Sequence, residues 1–460
     1  MDETGIRRAT LVVATLSSFM TPFMGSSINV ALPAIAEEFK MDAVLLSWIP
    51  TSYLLATAVS LVPFGRLADI YGRKRVYTYG IFFFTLFSFL CTIASSASLL
   101  IFFRILQGVG SAMIFATGIA MLTSVFPPQK RGRVLGINVA AVYIGLSLGP
   151  FLGGFLTQHL TWRAVFLAHI PLGLIIIGLL LWKVKQEWAE ARGEPFDLAG
   201  SLIYAVAITG LVYGMSLVPR LISLLVIVVG FLSLFGFIAW ETRTEKPVFD
   251  LGLFKTNRVF AFSNLAALVN YSATFAVGFF VSLYLQYVKG MNPQHAGFIL
   301  ISQPAVMALF SPLAGRASDK IEPRYVASVG MALSCAGLFL LAFLRAVTPL
   351  AFVVGSLALL GFGFALFSSP NTNAVMSSVE KKFYGVASAT LGTMRLVGQM
   401  FSMGVAMMIF AVLVGRVQIT PANQADFLQA IRTGFKIFAA LCFLGVFASL
   451  ARGNRNSAVR

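Results

Sequence analysis

Gly65-Arg66-Leu67-Ala68-Asp69-Ile70-Tyr71-Gly72-Arg73-Lys74-Arg75 packs one acid, two glycines and four cations between two apolar runs of membrane length. Charges at that density are expelled from hydrocarbon, so the stretch belongs at a membrane surface. Its core returns in the second half of the chain as Gly315-Arg316-Ala317-Ser318-Asp319-Lys320-Ile321-Glu322-Pro323-Arg324, again between apolar runs and with the same Gly-x3-Asp spacing. The chain therefore reads as internally duplicated, and duplicated membrane halves are the usual architecture of a transporter.

Apolar residues make up 58% of the 460 and charged residues 11%, against about 45–50% and about 25% in soluble globular domains. A spanning helix needs about 20 mostly apolar residues, and runs of that kind recur from residue 9 to residue 450 with short polar interruptions. They number fourteen, which makes the fold all-α and polytopic, and the even count returns both termini to one side. The formal net charge of +17 raises the question of nucleic acid. The placement of the cations answers it. With the N-terminus cytoplasmic, 24 of the 34 Lys and Arg fall on that side and eight on the other, while Arg104 and Arg395 lie inside apolar runs. This asymmetry orients a plasma-membrane protein with both termini cytoplasmic and names no polyanionic partner.

Cys91, Cys335 and Cys442 all lie in apolar runs without metal-ligand spacing, so neither a disulfide framework nor a metal site is expected. The first apolar run continues to Pro33 without a small-residue cleavage site and reads as a retained helix. The longest polar strips, Lys183–Asp197 and Glu241–Arg258, bracket the seventh and eighth helices. Setting that pair aside places each Gly-x3-Asp stretch after the second helix of its half. The predicted organisation is a six-helix bundle over residues 1–185, an inserted helix pair with flanking strips over 186–250, and a second six-helix bundle over 251–460.

Several further motifs fall in order along this frame. Asn29-Val-Ala-Leu-Pro33 lies in the first helix and Arg104-Ile-Leu-Gln107-Gly108-Val-Gly110 in the fourth. The fifth carries Gly136-x8-Gly145-x3-Gly149-Pro150-x2-Gly153-Gly154, and Trp162-Arg163 with Pro171-Leu-Gly173 opens the sixth. Together with Gly65–Arg75 they resemble, nearly end to end, the major facilitator superfamily and more narrowly its fourteen-helix drug/proton antiporter branch. The resemblance implies two pseudo-symmetric six-helix bundles plus an inserted pair, with substrate bound between the bundles near the midplane.

The motif residues have physical work to do on either of two readings. Asp69 and Arg73, with Gly65 and Gly72 for a tight turn, form either a topological anchor of positive charge or a latch, and Gly315, Asp319 and Arg324 are its echo. Gly145, Gly149 and Gly153 recur every four residues on one flat face with Asn138, which serves close helix packing or, by resemblance, an antiporter helix bent at Pro150. Arg104 shares a face with Gln107, Gly108 and Ser111, and Arg395 with Gln399 and Ser402. A charge in the bilayer costs about 2.5–3.5 kcal/mol on insertion scales, so each arginine either snorkels or contacts substrate and protons. Asn29, Asn138, Asn264, Asn270, Gln303, Asn371 and Asn373 are buried polar candidates for interhelical bonds or substrate contact, with Asn29, Asn138, Asn270 and Asn371 the chosen substrate contacts. His169 reads as structural.

One departure matters most. The branch carries an aspartate five residues before Asn29, where this chain has Met24, and all seventeen acids lie in loops or at helix ends. That points away from lipophilic cations and from the usual proton route. No P-loop and no buried catalytic constellation such as HExxH, GxSxG or paired acids is read in the chain, so a gradient-driven exporter of small organic solutes is expected rather than an enzyme. Its expected partners are a small-molecule substrate, protons and the lipid bilayer, with no nucleic acid, no cofactor and a monomeric state. A transport-inactive membrane sensor is the rival from another class.

Overall fold

The structure, a computed structural model, describes residues 3–245, 247–249, 252–380 and 384–453, without the side chains of residues 3, 4, 128, 129, 132 and 319. The Asp319 side chain, the boundary at 250–251, and Lys246, Lys381, Lys382, Arg455 and Arg460 of the cation count lie outside the described residues. Fourteen helical stretches among the described residues are long and apolar enough to cross a membrane.

The first six spans are α1 (Glu3–Phe39), α2 (Ala43–Tyr71), α3 (Arg73–Thr92), α4 (Ala97–Val125), α5 (Pro128–His159), and α6 (Arg163–Leu167) running on into α7 (His169–Lys183). The inserted pair is α8 (Leu198–Leu217) and α9 (Leu221–Glu241), and a short α10 (Gly252–Thr256) follows. The last six spans begin with α11 (Arg258–Thr274) continuing as α12 (Val277–Leu283), then α13 (Pro293–Leu300) with α14 (Ser302–Lys320). They close with α15 (Pro323–Leu341), α16 (Leu350–Ser377), α17 (Tyr384–Leu413) and α18 (Gln424–Leu450). The chain divides into one unit of Met1–Met41, Trp48–Leu211 and Val229–Val248 and another of Asp42–Ser47, Val212–Val228 and Phe249–Arg460.

Within the first unit α1 packs along α5, α3 along α4, and α7 against both α1 and α3. Lipid tails are as apolar as leucine, so helices in a bilayer are held by close backbone approach rather than by hydrophobic exclusion. Gly80 and Gly110 supply it. A Cβ on Gly80 would stand 2.7 Å from Met113 Cβ and 3.0 Å from Gly110 O, and one on Gly110 would stand 2.9 Å from Gly80 O. The second unit repeats the scheme, with α11 along α17, α15 along α16, and α18 against α15 and α11. Gly330 and Gly363 make the same reciprocal contact there, at 2.6 and 2.7 Å from each other's carbonyl oxygens to the added Cβ. The sequence duplication is thus a duplication of packing. A buried phenylalanine cluster also fills the second unit, where the Phe280 ring centroid lies 5.4 Å from Phe410, 5.6 Å from Phe435 and 5.9 Å from Phe438.

One expectation changes, and one long run that had room to break does so. The Gly65–Arg75 stretch is helical on both sides of a one-residue break: α2 runs through Gly65 to Tyr71, and Gly72 alone turns the chain, at φ 120. Gly65 therefore makes no turn, and α14 likewise continues through Gly315 to Lys320. The reason is length, since the 29 residues of α2 rise ~43 Å at 1.5 Å each against ~30 Å of hydrocarbon. Charged residues at helix ends simply project past the apolar layer. Of the two longest apolar runs, the one ending in α12 breaks at Phe275–Ala276, where Ala276 N–H donates to Ser402 Oγ of α17 at 3.0 Å. A side chain inserted in the hydrogen-bond ladder is a sufficient cause, while α17 itself is unbroken.

Candidate functional site

In the first unit Arg104 of α4 is 0% exposed, so it does not snorkel. Its Nε donates to Ile49 O at 3.3 Å and Nη1 to Gln107 Oε1 at 2.5 Å, and Gln107 Nε2 passes the chain on to Ser88 Oγ at 2.6 Å. The guanidinium carbon stands 4.2 Å over the Tyr53 ring, whose hydroxyl donates to Ser111 Oγ at 2.6 Å. Nη2 has no partner. Among the described residues no carboxylate pairs with Arg104, and the charge is held by a carbonyl, an amide and a π face. Met24 on α1 is fully buried, Asn29 on the same helix is half-buried, and Asn138 on α5 is buried with its Oδ1 unpartnered. His169 is 0% exposed, with Nδ1 2.8 Å from Val165 O, its ring beside Phe23 and Phe84, and Nε2 without a hydrogen-bond partner. Tyr53 was not legible as a site residue, because only the register of α2 against α4 puts it under the guanidinium.

The second unit gathers a broader cluster on α11, α16 and α17. Arg395 donates through Nη2 to Thr372 Oγ1 at 2.6 Å, and its guanidinium carbon lies 5.7 Å from the Tyr271 ring centroid. Thr372 and Tyr271 follow Asn371 and Asn270 in the chain, so Arg395 reaches α16 and α11 at the level of these two predicted residues, through their neighbours. Asn371 Nδ2 donates to Ser263 O at 3.2 Å and Asn264 Nδ2 to Phe260 O at 2.9 Å, whereas Gln399 is half-buried one turn along α17. Six polar atoms remain without partners: Ser263 Oγ, Asn264 Oδ1, both amide atoms of Asn270, Asn371 Oδ1 and Arg395 Nε. Each such atom costs about 1–3 kcal/mol if left dry, a sum that water or a polar solute would relieve. Again no carboxylate belongs to it among the described residues.

The Gly65–Arg75 segment is clamped by a part of the chain that the sequence presented as linker. Arg73, 9% exposed, donates through Nε to Asp69 Oδ1 at 2.9 Å, through Nη1 to Ser124 Oγ at 2.8 Å, and bidentately to Glu190 at 2.7 and 2.9 Å. The Glu187 carboxylate accepts Lys74 N at 2.9 Å and Arg75 N at 3.1 Å, satisfying free N–H groups of the first turn of α3 where the helix dipole favours an anion. Arg66 pairs with Glu194 at 2.6 Å. Backbone bonds join the same pieces, Arg73 N to Trp188 O at 2.8 Å and Ala191 N to Asp69 O at 2.9 Å. Any Cβ on Gly72 would strike the Glu187 side chain, 2.6 Å from Oε1. Asp69 therefore pairs with a cation and caps nothing; Glu187 is the cap. In the second unit Arg324 stands 3.0 Å from Glu322 and donates to Tyr325 OH at 2.6 Å.

The α5 glycines face α1, with an added Cβ at Gly145 standing 2.5 Å from Phe19 O and at Gly153 2.7 Å from Ser27 Cβ, while Gly149 would strike Ser26 Oγ. Pro150 lies inside the helix, Gly154 is buried, and a Cβ on Gly136 would meet nothing within 4 Å, so Gly136 does not share the packing role. Gly145-Leu-Ser147-Leu-Gly149 spells Gly-x-Ser-x-Gly, yet it lies in a continuous helix and not on the strand-to-helix turn that exposes a nucleophilic serine.

Two six-helix halves of like packing, each with an arginine-centred polar cluster within its spans, are the build of a polytopic membrane transporter. The sequence profile described as Major Facilitator Superfamily matches residues 14–268 and 263–458, and the chain belongs to that superfamily. It is 31% identical over 443 residues, 96% of either chain, to the Riboflavin transporter RibZ of Clostridioides difficile (strain 630). It is 33% identical to the Multidrug resistance protein Stp of Mycobacterium tuberculosis (strain CDC 1551 / Oshkosh), over 85% of this chain and 73% of that one. The crystal structure of a D-xylose-proton symporter shares the fold with a TM-score of 0.69 at 14% identity, covering 97% of both chains.

Proposed function

We propose that the protein exports small organic compounds across the plasma membrane by alternating access in exchange for protons, acting as a monomer without cofactor or catalysis, and that its substrates are neutral or anionic. The observation that carries the charge preference is the pair of arginine-centred clusters without a carboxylate among the described residues. A guanidinium about 8 Å away raises the cost of a second cation by roughly 2 kcal/mol at an effective dielectric of about 20. A cation–π contact returns about 0.5–2 kcal/mol, which does not overcome it. The likeness to a multidrug resistance protein supports the efflux side of the proposal. The end-to-end likeness to a riboflavin transporter favours a second reading, a carrier for one hydrogen-bonding metabolite.

The test is a matched pair of transport assays in proteoliposomes, one lipophilic cation and one amphipathic anion, on wild type and Met24→Asp. Wild type should move the anion and not the cation, with Met24→Asp gaining cation transport. Efficient cation export by wild type, unchanged by the new acid, would refute the preference. Riboflavin added to the same assay separates the two readings, since only a dedicated carrier is saturated by that compound alone.

A further inference from the structure

The two units treat the cations at their helix ends in opposite ways. In the first, the strip after α7 delivers Glu187, Glu190 and Glu194 to Arg66, Arg73 and the start of α3. In the second, the residues after α18 deliver another cation. Arg452 is 1% exposed, with Nε donating to Ser449 O at 2.8 Å and Nη2 to Ser449 Oγ, which also accepts from Ser328 Oγ at 2.8 Å. Its Nη1 has no partner. Among the described residues no carboxylate pairs with Arg452.

Arg452 lines a recess with Arg324, Ser377, Ser378, Glu322 and Pro323, the last of which opens α15. Arg258, the first residue of α11, closes the corner by donating through Nε to Ala451 O at 3.0 Å. Glu322 stands 3.0 Å from Arg324 Nε, but off the line of a hydrogen bond, and that Nε has no hydrogen-bond acceptor. Two guanidiniums and the positive end of a helix thus face one carboxylate among the described residues. Burial pushes Arg452 down to about 10, still well above neutrality, so the group remains charged. A buried cation with an idle N–H is unfavourable until an anion completes it.

We propose that this recess binds a phosphate-type oxyanion, from an anionic lipid headgroup or from solution, with Arg452 Nη1 and Arg324 as charged donors and Ser377 as a neutral one. Guanidinium is the group best matched to tetrahedral oxyanions, through paired N–H donors. Ser377 is free to turn, because its present bond to Ala374 O is long at 3.4 Å. The site stands where α11 and α15 begin and α16 ends, the level at which headgroup phosphates lie. It does not depend on the identity of the transported solute.

The test uses purified full-length protein and two probes, inorganic phosphate in detergent and phosphatidylcholine nanodiscs with or without phosphatidylglycerol, read by thermal unfolding. Wild type should be stabilised by at least one probe. Arg452→Gln should raise the concentration needed roughly tenfold, and Glu322→Gln should lower it about threefold by freeing Arg324. A response to phosphatidylglycerol alone assigns the lipid, a response to phosphate alone the soluble anion, and a response to both a shared site; each supports the proposal. No stabilisation by either probe, equal stabilisation of wild type and Arg452→Gln, or weaker binding by Glu322→Gln would overturn it. Should Arg452→Gln fail to fold, Glu322→Gln decides alone.

Discussion

Arg73 and Arg104 are the same side chain under opposite terms. Arg73 meets two carboxylates at the end of a helix, whereas Arg104 is sealed in the protein with a carbonyl, an amide and a tyrosine face. On the proposed function, an arginine that costs about 2.5–3.5 kcal/mol serves contact with the solute, and stability is given up for it. Arg104→Met should therefore unfold at a temperature no lower than wild type while transport falls at least about tenfold, the penalty for losing one charge-assisted contact to a solute. Nanoscale thermal melts beside proteoliposome flux check this. A melt several degrees lower, with flux tracking folded protein, would make Arg104 structural. The sequence showed that both arginines were special, because charge inside an apolar run is visible in one dimension. It did not show Tyr53 or Thr372 beside them, because those contacts depend on helix register.

The element that changes most between sequence and structure is the strip after α7. Its acids carry no helical or strand period, so it looked like solvated linker, yet Glu187 caps α3 and Glu190 grips Arg73. The helix spans themselves were readable from hydropathy. Their ends were not, since charged residues past the hydrocarbon stay helical. Geometry ranks the clamp: Glu190 gives Arg73 two charge-assisted bonds and Asp69 one. Glu187→Gln, which loses the charge and replaces the oxygen that accepts one of the two α3 N–H groups by an amide nitrogen that cannot accept, should cost about 1–2 kcal/mol of stability. Glu190→Gln and Asp69→Asn should leave insertion intact and slow exchange, with Glu190→Gln the larger effect. Exchange rates of the three purified variants decide it, and wild-type rates in well-folded Asp69→Asn and Glu190→Gln together would show the clamp to be a static anchor.

For the whole molecule, duplication was legible from two short Gly-x3-Asp stretches, and the packing bears it out helix by helix. The halves nonetheless diverge, α1 being continuous through Pro22 and Pro33 while its counterpart breaks between α11 and α12. The length of the 259–287 run left room for a break, but its place was not readable, since the N–H freed there is met by Ser402 from another helix. The cation asymmetry yields a prediction at this scale. Single cysteines at Lys74→Cys and Lys320→Cys, in a background lacking Cys91, Cys335 and Cys442, should resist impermeant thiol reagents added to intact cells and react once the membrane is opened. Labelling from outside would reverse the assigned orientation. The glycine pairs, finally, bear on register. Neither Gly80 nor Gly110, and neither Gly330 nor Gly363, has room for one more carbon without parting its two helices. Such positions leave no room for substitution, so they mark the one register in which the two halves superpose: α3 on α15 and α4 on α16, glycine on glycine.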